Sequence, residues 1–353
     1  MEKKKKLLTD ILKTTLFVGV GILLIWLSVR NLNHDDIQKI FDSIALVNNP
    51  HGWFFICLSA LATIAADFIR AARAKLMLQS INYNPRFSMM FYSVMVCYLA
   101  NLALPRLGEI LRCTFLQRYE KIPFQKSLGT VILERAVDMV CWIFLVFIAL
   151  LLNNDLLSQL VVDQETNTTL QEWFAQKGLS YVGNYLLYII LFLIILFAVI
   201  VHATRNWWQK RPALVKVADF LKGIWRGFIS IKDIPKPWLF IFWTVAMWVA
   251  YFFGVYFFFQ SLPYLQTIGT GAAFSVLVFG TIAFIISQGG LGAYPLITAG
   301  IVMLYGVNYM EGLAGGWIGW ILQTVITLVL GLVSLVITSF YKRVDSSMIP
   351  EEQ

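Results

Sequence analysis

Six stretches of seventeen or more mostly apolar residues recur along this 353-residue chain, at about Ile11–Val29, Trp53–Ile69, Val131–Leu152, Tyr185–Val201, Trp238–Phe259 and Trp317–Phe340. A bilayer core about 30 Å thick takes about 20 apolar residues per helical crossing, so each stretch is long enough, or nearly so, to cross with modest tilt. Only 14% of the residues are charged and 59% are hydrophobic, against roughly 25% charged in a soluble domain. The polar surface is too small to cover a water-soluble globule, and lipid must be part of the solvent. The expected fold is an all-α integral membrane protein: one polytopic domain over residues 1–353, with about six full crossings.

Two further apolar stretches are broken. Ser88–Leu104 ends at Pro105 and runs into charged residues, and Ala272–Tyr305 is interrupted by Gln288-Gly289-Gly290-Leu291-Gly292-Ala293-Tyr294-Pro295. Charge orients them. The tail Lys3–Lys6 and the loop Arg205–Lys236, with eight Lys and Arg, belong in the cytoplasm by the positive-inside rule, and the acidic loop Asn153–Asn184 faces outward. Basic residues lie on both sides of Ser88–Leu104, from Arg70 to Lys126, so a full crossing would split them between the two faces. A re-entrant hairpin over 88–117 keeps them together. The same reasoning makes 272–305 dip in from the outside, because the last helix must deliver Lys342 and Arg343 to the cytoplasm. The chain then has a first half of about 1–152 and a second of about 185–341, the latter containing the cytoplasmic basic loop 205–236. Both termini are expected in the cytoplasm and the protein in the cell inner membrane. Opposed broken helices resemble the inverted repeats of secondary transporters, although no residue-level repeat is visible. Two ordinary crossings are the alternative.

The net charge of +8 does not point to nucleic acid, since the basic residues come in blocks between apolar segments rather than along one face. Cys57, Cys97, Cys113 and Cys141 have no C-x-x-C spacing, and His34, His51 and His202 are scattered, so no metal site or cofactor is expected. The run Leu16–Leu27 is followed by Ser-Val-Arg rather than a cleavage site and reads as an uncleaved helix. Asn167-Thr168-Thr169 is a sequon of a kind common by chance.

Charges inside apolar helices cost about 2.5–3.5 kcal/mol each at the centre, so those retained pair with one another or line a wet cavity. Three clusters qualify. In Asn101-x-x-Leu104-Pro105-Arg106-Leu107-Gly108-Glu109-x-x-Arg112 a proline frees backbone groups and Arg112 follows Glu109 by one turn. Glu134-Arg135-x-x-Asp138, near the start of its helix, puts two carboxylates on one face, with Arg135 beside Asp138. Asp67-x-x-Arg70-x-x-Arg73-x-Lys75 closes the second crossing. The plainer reading of all three is interfacial salt bridging and snorkelling of long cations to the headgroups. The functional reading is an anion site, with arginine forks suited to phosphate and acids that position them. Gly289-Gly290-Leu291-Gly292 allows unusual dihedrals and close approach. It is not a nucleotide loop, because no Lys-Ser/Thr follows.

The run Asn101–Asp138, with Arg70-x-x-Arg73 before it and the glycine motif after it in the same order, resembles the flippase-like membrane domain of lysylphosphatidylglycerol synthases over essentially the whole chain. The resemblance implies a multi-pass domain with re-entrant helices that moves lipids with anionic or modified headgroups between leaflets. The chain ends at Gln353, so the aminoacyl-transferase half of the bifunctional synthases is expected to be absent, and synthesis of a lysylated lipid is not expected of this polypeptide. Two positions depart from the family pattern: Gln288 stands where a proline is common, and Pro295 where an acid usually follows the glycines.

The leading expectation is a lipid translocase, not an enzyme. Its headgroup site is expected to draw on Arg70, Arg73, Asn101, Arg106, Glu109, Arg112, Glu134, Arg135, Asp138, Gln288, Gly289 and Gly290. Anionic phospholipid, aminoacylated phospholipid and polyprenyl phosphate all present a phosphate to the same arginines. Two other readings compete. One is a membrane-embedded headgroup transferase with Glu134 or Asp138 as base, for which no nucleophile, metal or donor site is visible. The other is a non-transporting partner of a separate lipid-modifying enzyme, docking through 205–236. A second copy of the chain is a further candidate partner.

Overall fold

A computed structural model describes residues 45–104, 106–152, 161–163, 168–169 and 236–341, with Gln38, Asp42 and Ile234 as single positions. The expected crossings Ile11–Val29 and Tyr185–Val201 lie outside these residues, as do Lys3–Lys6, Pro105, almost all of the loop Arg205–Lys236, and Lys342 and Arg343. The chain divides into two compact units, Met1–Arg135 with Ile231–Gln353, and Ala136–Ser230.

The described residues are almost wholly helical. In chain order the helices are α1 (Pro50–Gln79), α2 (Phe87–Ala103), α3 (Leu107–Glu120), α4 (Phe124–Leu152), α5 (Pro237–Gln260), the single turn α6 (Pro263–Gln266), α7 (Gly269–Ile286), α8 (Ala293–Leu304) and α9 (Tyr309–Ser339). In the acidic loop, β1 (Val161–Asp163) pairs antiparallel with β2 (Thr168–Thr169). Helix starts follow local chemistry. Pro50 and Pro237 occupy first-turn positions where no amide partner is lost, and the Asn49 side chain accepts from Gly52 N at 2.8 Å.

Five described helices, α1, α4, α5, α7 and α9, are long and apolar enough to cross a membrane. Four carry the expected crossings Trp53–Ile69, Val131–Leu152, Trp238–Phe259 and Trp317–Phe340. Three of them run well past those bounds, α9 starting at Tyr309. Helix α1 continues to Gln79, and α4 begins at Phe124, which sets Glu134 about three turns inside its helix rather than near its start. The fifth, α7, is the first arm of the expected 272–305 dip.

Helix α9, about 46 Å long at 1.5 Å per residue, serves as the ruler. A Cβ on Gly312 would meet Val302 and Ala299 of α8, one on Gly316 would meet Pro295 Cα at 2.6 Å, and the Trp320 indole N–H donates to Gly289 O at 2.8 Å. Further along, Gly331 faces Leu99 of α2, and beyond the end of α9 the Tyr341 ring lies 5.5 Å from the Arg86 guanidinium at the base of α2. The α8 arm thus descends along the first half of α9 and α2 along the second. Two helix–break–helix hairpins, α2–α3 and α7–α8, therefore point at each other. Their tips touch: the Gln288 amide donates to Leu102 O at 2.8 Å.

Each break has its own conformational signature. Gly289, Gly290 and Gly292 all have positive φ, and Arg106 sits at φ 65°, a left-handed backbone that costs a non-glycine residue of order 1–2 kcal/mol. The base of the α2–α3 hairpin is clasped by Glu120, which accepts from Arg86 Nε at 2.8 Å and Arg86 N at 3.2 Å. Helices α1 and α5 pack antiparallel, with Ser59 Oγ donating to Gly254 O at 2.7 Å and the Arg73 guanidinium 5.9 Å from the Phe240 ring.

The contact of α8 with α9 depends on the absence of a side chain at 316. Gly316→Val is expected to lower stability by about 1–3 kcal/mol through overpacking against Pro295 backbone. Thermal unfolding in detergent measures this, and an unchanged midpoint would show that α8 does not pack there.

Candidate functional site

The charged residues of the broken region gather into two layers. In the deeper layer one carboxylate, Glu134 of α4, meets three guanidiniums from two other helices. Arg70 Nη1 lies 3.1 Å and Arg73 Nη2 3.6 Å from Oε1, and Arg112 Nη1 lies 2.9 Å from Oε2. All four residues are buried, Arg73 completely. Neither snorkelling nor interfacial pairing describes this arrangement, because α1 carries Arg70 and Arg73 inside the protein. A buried carboxylate held by several charge-assisted bonds is a rigid junction between α1, α3 and α4.

The shallower layer is an ion pair, Arg135 Nη2 to Glu109 Oε1 at 2.9 Å, with the Arg135 side chain 45% exposed. The pairing is crossed relative to expectation. Arg112 pairs with Glu134 and Arg135 with Glu109, each reaching to another helix. Along one helix these residues are neighbours by spacing alone, whereas α3 and α4 bring stronger partners face to face.

Above these layers lies a cavity of about 600 Å³. Arg70, Arg106, Glu109 and Arg135 line it, together with Asp67 and Asn101. The second hairpin tip closes it with Gln288 and Gly289, α5 supplies Trp248 and Tyr251, and α9 supplies Trp320, Gln323, Thr324 and Thr327. Arg70 links the deeper layer to the cavity, lining the cavity while bonded to Glu134 and, through Nε, to the Tyr251 hydroxyl at 3.4 Å. Arg106 is exposed and has no ion-pair partner among the described residues.

Of the residues expected to bind a headgroup, Arg70, Asn101, Arg106, Glu109, Arg135, Gln288 and Gly289 line this cavity. Arg73, Arg112 and Glu134 form the support beneath it, and Gly290 is buried in the second tip. Asp138 belongs to the second compact unit. Asn101 has a structural duty besides: its Oδ1 accepts from Gly108 N at 2.8 Å, capping α3 across the break. Gln288 joins the two tips. Sequence reasoning missed Trp248 and Tyr251, which are lost among the aromatics of α5. It also passed over Gln323, Thr324 and Thr327, whose polarity in an apolar helix was a readable signal.

Opposed hairpins meeting over a charged cavity, among helices of membrane-crossing length, define a multi-pass α-helical membrane protein. Residues 13–331 match the lysylphosphatidylglycerol synthase TM region, and the chain belongs to that family. A curated relative, the UPF0104 membrane protein MJ1595 of Methanocaldococcus jannaschii, is 23% identical over 215 residues; the match spans 60% of this chain and 55%, about half, of the relative. No solved structure matches.

Proposed function

We propose that this protein binds the headgroups of anionic phospholipids in the cavity between the hairpin tips and moves them between leaflets while the acyl chains stay in the bilayer. The observation that carries the reading is the convergence of Arg70, Arg106 and Arg135, from three separate elements, on one cavity of about 600 Å³. That volume lies within the roughly 300–1,000 Å³ of ligand pockets. Arginine forks match phosphate oxygens bidentately, and the Glu134 junction holds Arg70 in place before a headgroup arrives. The basic side of the membrane domain is then cytoplasmic. A headgroup crossing from one hairpin's side to the other's must pass where the tips meet, so the tips part during transport.

The test uses protein reconstituted in liposomes with tail-labelled phosphatidylglycerol. Arg106→Ala and Arg135→Ala each remove a cavity-facing cation and leave the Glu134 junction intact. Each is expected to slow translocation roughly tenfold, the loss of one charge-assisted hydrogen bond. Rates equal to the unsubstituted protein in both variants would end this assignment.

A further inference from the structure

Helix α9 carries a neutral polar ledge that the phosphate reading leaves unused. Gln323, Thr324 and Thr327 line the cavity although they sit in a helix otherwise apolar enough to cross a membrane. Thr327 returns its hydroxyl to Gln323 O at 3.0 Å. The Gln323 amide and the Thr324 hydroxyl have no hydrogen-bond partner among the described residues, and neither is sealed from the cavity. A polar side chain at membrane depth without a protein partner must be met by water or by a ligand.

The ledge stands at the level where the two tips meet. It begins one turn beyond Trp320, which bonds Gly289 of the second tip, and two turns before Gly331, which packs on Leu99 just below the first tip. Arg106 belongs to that first tip. A headgroup whose phosphate is held by Arg106 and Arg135 therefore extends its distal part toward α9.

Resting on the proposed headgroup site, we infer that the distal part of the headgroup is hydroxyl-rich, a polyol such as glycerol, inositol or a sugar, and that Gln323 and Thr324 select it. An amide offers two donors and an acceptor and a hydroxyl offers both. Uncharged groups of this kind match the donor-and-acceptor character of an alcohol and give nothing to a quaternary ammonium, which has no donor. A primary ammonium donates only, and leaves the donors of the amide and the hydroxyl unmatched. The two carboxylates lining the cavity, Glu109 and Asp67, stand beside arginines, Glu109 in its bond to Arg135 and Asp67 one turn from Arg70.

The experiment compares translocation of five tail-labelled lipids by the reconstituted full chain: phosphatidylinositol, phosphatidylglycerol, phosphatidylethanolamine, phosphatidylcholine and phosphatidic acid. The inositol and glycerol lipids are expected to move at least about tenfold faster than the choline lipid and phosphatidic acid, the discrimination a site gains when it bonds a substrate hydroxyl. Gln323→Leu combined with Thr324→Val is expected to bring the inositol and glycerol lipids down to the rate of phosphatidic acid, whose own rate stays unchanged, and Thr324→Ser with native Gln323 should keep the preference. Folding of the double variant is followed by its thermal midpoint, and the single variants Gln323→Asn and Thr324→Val supply graded losses of preference should the double variant unfold. Equal rates for all five lipids, a preference for ethanolamine, or a preference that survives the double substitution each overturn the polyol assignment while leaving headgroup transport standing. If no lipid moves faster than in protein-free liposomes, the transport reading fails and this inference falls with it.

Discussion

Glu134→Ala is expected to cost about 3–5 kcal/mol of stability, the range for removing one partner of a buried charge pair and leaving the other buried. The cost arises because Glu134 serves Arg70, Arg73 and Arg112 together at 2.9 to 3.6 Å, so one deletion removes a shared counter-charge from three arginines on two helices. Glu134→Gln keeps the shape and an acceptor oxygen but not the charge, and should fall between alanine and the native residue. Arg135→Ala, in the exposed pair with Glu109, should cost under about 1 kcal/mol, because solvent screens that pair. The order of thermal midpoints in detergent tests the scheme. If Glu134→Ala and Arg135→Ala melt together, Glu134 is not the junction of these helices.

The second large effect concerns the tips. Leu102 and Gln288 meet through a side chain–backbone hydrogen bond, and Leu102 also lies against Gly289; in the proposed function this contact opens to let a headgroup pass. With the four native cysteines, Cys57, Cys97, Cys113 and Cys141, replaced, the pair Leu102→Cys and Gln288→Cys can be joined by a short bifunctional thiol reagent. Bridging is expected to abolish translocation, by well over tenfold, in keeping with a gating step that must open on each cycle. A cleavable reagent should return the rate on reduction, and headgroup binding should persist while the bridge is closed. Full-speed translocation by the bridged protein would show that the tips stay together and that the path runs elsewhere.

How far the site could be read beforehand differs residue by residue. Pro105 and the glycines from Gly289 to Gly292 announced two broken helices, because proline removes an amide and positive φ favours glycine. The burial of Arg70 and Arg73 was not legible. A span drawn to Ile69 ends before them, and only the continuation of α1 to Gln79, packed against α5, carries them inside. The crossed pairs Arg112–Glu134 and Arg135–Glu109 were equally out of reach, since spacing on one helix ranks neighbours by sequence and is blind to a helix packed alongside. Asn101, read as a ligand group, lines the cavity, and its amide oxygen also caps α3, a contact not legible in advance because the amide seven residues on becomes a partner only once the chain has turned back.

The amino-acid sequence by itself determined that this protein lives in lipid as helices and where those helices break. Both follow from local rules: apolar length against bilayer thickness, and hydrogen bonds that each segment must satisfy within itself. Tertiary structure alone decided that the two hairpins meet tip to tip along α9, that Glu134 gathers three arginines, and that Gln323 and Thr324 share a cavity with Arg106. Those outcomes depend on distances between helices far apart in the chain, and a charge or an amide bonds the group that packing places nearest.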